Sequence, residues 1–181
     1  MNLIEHKNEA LTRLRVTTRA AHERVDEAFS HYNLESKISY ISFLKAHAKV
    51  LPLVENWLKS FQNLPEWEGR SELLRHDLAS LQSDFPPTLG WARRTEEGAA
   101  LGGLYVIDGS RLGAKFLSSR LGAGFPSSYL SAPQKKGSWS RLLSEIQTQM
   151  VDKGEAFQDD VIAGARAVFE LFYESALSEM E

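Results

Sequence analysis

The sequence contains no cysteine, which excludes disulfides, thiolate nucleophiles, cysteine-bound iron–sulfur clusters and thiolate zinc sites. It also lacks an excess of basic residues: 21 Lys and Arg stand against 24 Asp and Glu, a formal net charge of −3. That balance argues against nucleic acid as a partner, because phosphate recognition needs a basic face. Apolar runs long enough to cross a membrane are missing; the nearest, 99–107, stops at Asp108. The opening residues MNLIEHKNEALTRLR carry charges where a secretion signal needs an apolar stretch. These absences predict a cytoplasmic protein with no membrane partner. Chemical motifs are sparse too. There is no GxxxxGK[ST] loop, no GxGxxG and no Glu-x-x-His pair, and the zincin-like start at His22-Glu23 has no second histidine.

What is present suits a helical core. A chain of 181 residues with 43% apolar content can bury roughly 70% of its unfolded surface, so one domain over 1–181 is expected. Apolar residues recur at helical spacing over 9–29, 39–61 and 157–178. Pro52 is expected to kink the second of these. Shorter helices are expected from an N-cap at Ser71, with Leu74, Leu78 and Leu81 inward, and over 139–153. Thr95 followed by Glu96 and Glu97 reads as the capped start of a further helix. Segments 84–94 and 123–138 read as loops from their prolines and glycines. No strand alternation is visible. The expected class is all-α, a single-domain multi-helix bundle with its core at about 9–178.

The helix containing LGGLYVIDGSRLGAKFLSSRLG, residues 101–122, is unusual for its glycines. Each interior glycine costs a helix about 1 kcal/mol relative to alanine. Gly109 and Gly113 are four apart and share one face, beside Ser110 and Arg111. Such a bare face suits either a flat ligand or the close packing of a second helix.

Among the histidines, His6 and His31 read as surface residues, His47 as a satisfied core histidine, and His76 as exposed. His22 stands apart. Asp26 is one turn later on the same face and Arg15 two turns earlier. A metal-binding histidine commonly gives its second ring N–H to a carboxylate, and Arg15 could meet an anionic ligand edge. Taken with the glycine face, one neutral imidazole suits a planar macrocycle with a single axial ligand.

The segments LRVTTRAAHERVDEAF at 14–29 and LGGLYVIDGSRLGAKFL at 101–117 resemble the two signature helices of heme oxygenases, especially compact bacterial ones. The resemblance implies a heme-oxygenase-like bundle and His22 as the proximal iron ligand. It implies that Asp26 bonds that histidine, as a shorter acid than family members often carry. Arg15 and Tyr105 fall where heme propionates are met. Gly109, Ser110 and Gly113 fall in the kinked distal helix and are the expected catalytic segment. Ser110 replaces an aspartate that some members place beside the first glycine, and Asp108, one residue before that glycine and about 100° round the helix from it, does not substitute for it. The implied reaction opens protoheme at a meso carbon, with O2 and external electrons, to biliverdin, carbon monoxide and iron. Heme is then both substrate and cofactor. A reductase or ferredoxin would supply the electrons, and a bilin-accepting protein is a further partner. The alternative is a heme carrier or sensor with the same pocket and no turnover.

Overall fold

In a computed structural model, the backbone of residues 3–180 and the side chains of 9–180 are described. Six helices occur among them: α1 (Leu3–Ser30), α2 (Lys37–Leu58), α3 (Ser71–Ser80), α4 (Glu97–Ser118), α5 (Ser138–Lys153) and α6 (Glu155–Ser178). The all-α expectation holds, and the long amphipathic segments fall where their periodicity places them. The His6 side chain lies outside those described.

The centre of the fold is α6. Its stripe of Val161, Ala165, Val168 and Phe172 is buried, and α1, α2, α4 and α5 all pack against it. The closest partner is α4. A Cβ placed on Gly102 would run into the Val161 carbonyl, and one on Gly164 would run into the Ala99 carbonyl. These two glycines therefore let the helix backbones touch. Gly103 is bare for another reason: the Trp57 ring of α2 fills the space a side chain would need.

Along α4 the burial changes abruptly. Residues 98–104 and 106–108 are buried, whereas Ser110, Leu112, Gly113, Lys115 and Phe116 are exposed. The first half belongs to the core and the second leaves it. Both α1 and α4 lean on α6 and on α5, yet they scarcely touch each other. A slot therefore lies between them, with α6 behind it.

Three local expectations are corrected. Ser71 is not an N-cap. The cap position of α3 is Arg70, and Ser71 donates its hydroxyl to Glu55 Oε2 at 2.5 Å. Glu55 of α2 also accepts the Arg70 N–H at 2.5 Å and the Ser71 N–H at 3.3 Å. A buried carboxylate from another helix thus satisfies the free amides and the positive end of α3. Thr95 likewise does not cap α4; Glu96 holds that position. Finally, α4 ends at Ser118, so Gly122 lies beyond it, close to Phe125. Pro52 sits inside α2 without ending it, and the nearby Lys49 carbonyl accepts the Leu89 N–H at 3.0 Å.

Because Gly102 meets backbone, which cannot rotate away, Gly102→Ala should lose about 2–3 kcal/mol or more of stability. Gly113 has open space around it, so Gly113→Ala should gain up to about 1 kcal/mol from helix propensity. Urea denaturation of the two variants checks both; a Gly102→Ala protein as stable as wild type would contradict this packing.

Candidate active site

Two helical stripes define the walls of the slot. On α1, Arg15, His22 and Phe29 recur every seven residues and share a face. On α4, Tyr105, Gly109, Leu112, Gly113 and Phe116 form the matching stripe. At a rise of 1.5 Å per residue, the stretch from Tyr105 to Phe116 runs about 16 Å. Behind them, the Phe169 ring of α6 lies 5.4 Å from the His22 ring, centroid to centroid.

One end of the slot is marked by Arg15 and Tyr105. Burial pushes the Tyr105 hydroxyl above its ordinary pKa, while the charge and side-chain contact of Arg15 pull it back. The two residues, from different walls, thus reach one another. Tyr105 also packs on Trp139 of α5, with centroids 5.6 Å apart. Toward the other end, the Gly122 N–H donates to the Leu34 carbonyl at 3.1 Å, tying the segment after α4 to the segment after α1. Phe29 and Leu117 lie in a cavity of about 370 Å³ there.

His22 is solvent-facing, its side chain 58% exposed, and its Nε2 is 3.5 Å from Asp26 Oδ2. That separation is longer than an ordinary hydrogen bond. The two side chains are i,i+4 neighbours on the surface of α1, without the hydrogen bond that the resemblance implied.

The glycines separate into two kinds. Gly113 has nothing within reach of an added Cβ, so its face is open. Gly109 is not fully bare, since an added Cβ would come within 3.0 Å of the Trp139 ring. The expected patch is therefore glycine backbone with an indole against its inner end. Around it, Leu112 and Phe116 are 53% and 64% exposed. Large apolar side chains left open beside bare backbone are an apolar surface without a cover.

Ser110, though exposed, has its hydroxyl engaged. Its hydroxyl donates to the Ile107 carbonyl at 2.7 Å and accepts from Arg70 Nη2 at 2.5 Å. Its one proton is thereby committed. Asp108 accepts from Arg111 at 3.0 Å and from Gln134 at 3.2 Å, and Arg111 also donates to the Glu68 carbonyl. Asp108 is therefore engaged elsewhere, as its helical angle predicted.

Reading residues one by one did not single out Arg70, Glu55 or Trp139. Glu55 had a signal, an acid within the apolar stripe Val50, Leu51, Val54, Leu58. Arg70 had none, because its role depends on where α3 docks. His47 fits its expectation: Nδ1–H donates to the Phe43 carbonyl at 2.9 Å. Its ring is packed by Phe29, Phe43, Tyr129 and Phe172.

The chain has a heme-oxygenase-like fold. It superposes on the NO- and CO-bound heme oxygenase from Neisseria meningitidis with a TM-score of 0.77, over 94% of this chain and 91% of that one, at 24% identity. No family model and no curated protein matches the sequence.

Desolvation, with a smaller push from Arg70, holds His47 down to about 4, against 6.5 in the unfolded chain. The unfolded chain therefore binds more protons between those values. Stability should be fully present above pH 6.5 and fall as the pH drops toward 4, by about 2 kcal/mol once partial exposure is allowed for. Denaturation measured across that range should show this slope, and His47→Gln should flatten it.

Proposed function

We propose that this protein is a heme oxygenase, opening protoheme to biliverdin, carbon monoxide and iron. The observation that carries this reading is the pairing of an exposed histidine on one wall of the slot with an open glycine and uncovered apolar side chains on the other. A flat, largely apolar macrocycle that carries a metal would cover Leu112 and Phe116 and use His22. The residues present fit that group.

Bound heme supplies the iron at which oxygen is activated and, as substrate, the ring that is opened. This chain's own residues do the rest. His22 would hold the iron from α1, with Asp26 fixing the ring and raising its basicity. As a neutral donor, the His22 imidazole would supply less electron density to a bound iron than a thiolate would. Arg15 and the Tyr105 hydroxyl would meet the propionates at their end of the slot, setting the in-plane orientation. Gly113, whose face is open, and Gly109, beside the Trp139 ring, would let the α4 backbone lie close to the macrocycle. Their backbone groups can also hold water there.

Ser110, expected to contribute to the catalytic segment, would do so only indirectly, since its proton is already given to Ile107. That commitment favours one second reading, a heme carrier or sensor that binds without turnover. Electrons for catalysis would come from a reductase or ferredoxin, and a bilin-accepting protein could take the product.

Hemin titration should give a histidine-type Soret spectrum, lost or weakened at least about tenfold in His22→Ala. Adding oxygen with ferredoxin and its reductase should convert the complex to a bilin spectrum. A stable heme complex that never opens would leave the carrier reading and overturn the enzymatic one.

A further inference from the structure

One carbonyl in the middle of α4 is served by two side chains. Ile107 O accepts the Ser110 hydroxyl at 2.7 Å and Arg70 Nη2 at 2.9 Å. A helical carbonyl ordinarily accepts only the amide four residues on. Side-chain donors at such a carbonyl weaken that bond and bend the helix. Ile107 lies immediately before the point where α4 leaves the core, and two residues before Gly109.

The second donor is unusual in itself. Arg70 is only 3% exposed, and its guanidinium lies 4.8 Å from the Tyr129 ring centroid. Its side chain binds Ile107 O and Ser110 Oγ, and no carboxylate of the described residues pairs with it. A buried cation paired only with neutral acceptors is unfavourable for stability alone. The chain nevertheless holds it rigidly. Glu55 accepts the Arg70 N–H at 2.5 Å, and a Cβ on Gly69 would come within 2.8 Å of the same carboxylate. The planar fork of arginine can reach two acceptors at once, which a lysine ammonium does less well.

We propose that Arg70 is a positioning residue for the ligand-binding face of α4. It holds Ile107 O and Ser110 from behind the helix and so fixes the Gly109–Gly113 backbone where the ligand lies. The proposal rests on the heme reading for the identity of that ligand. Arg70 acts through the helix and does not itself touch the ligand.

Two measurements separate this role from the heme reading. In the protein without ligand, amide hydrogen exchange at 109–114 should be about tenfold faster in Arg70→Met, with α6 amides unchanged. In hemin titrations, Arg70→Met should keep the His22-type Soret spectrum but bind about tenfold more weakly. Ser110→Ala should add little in the Arg70→Met background, because both act on one contact. Arg70→Lys keeps the charge, tolerates the site if Arg70→Met does not fold, and should restore only part of each readout. Unchanged exchange at 109–114 in Arg70→Met would overturn the positioning role even with hemin binding intact. So would full recovery of both readouts by lysine, or wild-type hemin affinity with a loosened α4. Failure of the wild-type protein to bind hemin would overturn the heme reading itself and the ligand half of this proposal, and exchange would still decide whether Arg70 holds α4.

Discussion

The arrangement depends on one contact, the touching of the α4 and α6 backbones at Gly102 and Gly164. No side chain intervenes there, so the helix separation is set by main chain alone. That fixes the first half of α4 in the core. The same helix runs on past the edge of the core, where Leu112, Gly113 and Phe116 are exposed. The wall of the slot is thus the projecting end of an element anchored elsewhere. Its placement is inherited from packing that no ligand needs to supply, which is a form of preorganisation.

The same geometry explains where the polar groups of α4 go. Asp108 and Arg111 bind each other, with Gln134 and Glu68 from the flanking loops completing their contacts. Ser110 is held by Arg70. All three polar side chains around Gly109 are therefore engaged with loop or turn residues. The stripe that faces the slot is left with a tyrosine, two glycines and two large apolar residues. On the proposed function this division has a chemical consequence. An acid on the ligand face could give up a proton there, and a face of backbone and apolar groups cannot.

Helix order and class were legible because long amphipathic periodicity survives any detail of packing, and each stripe on α6 is buried as its spacing predicts. His22 with Asp26 was legible for the same reason, since i,i+4 proximity is local. The glycines were only half legible. Spacing put Gly109 and Gly113 on one face, but the clearest reason for a glycine, backbone contact at Gly102, depends on a helix some sixty residues further on. The caps show the limit from the other side. Ser71 and Thr95 are suitable capping residue types, yet Glu55 from α2 outcompetes the serine because it brings a charge to the same amides. Arg70 and Trp139 are assigned by docking alone, and no local pattern marks them.

The slot is also asymmetric along its length. Arg15, Tyr105 and Trp139 gather at one end, a cation and a hydroxyl with an indole beside them. Phe29 and Leu117 lie toward the other. A ligand with an anionic edge and an apolar edge has one favourable way to lie between such ends, because reversing it would bury charge against hydrocarbon and leave the Arg15 end unpaired. Rotation within the plane is a separate matter, and there Trp139 bears on the outcome. Its ring meets Gly109 near the middle of α4 and Tyr105 one turn earlier. On the proposed reading, the charged end would choose which edge points outward, and the indole would set the depth at which the ring stops.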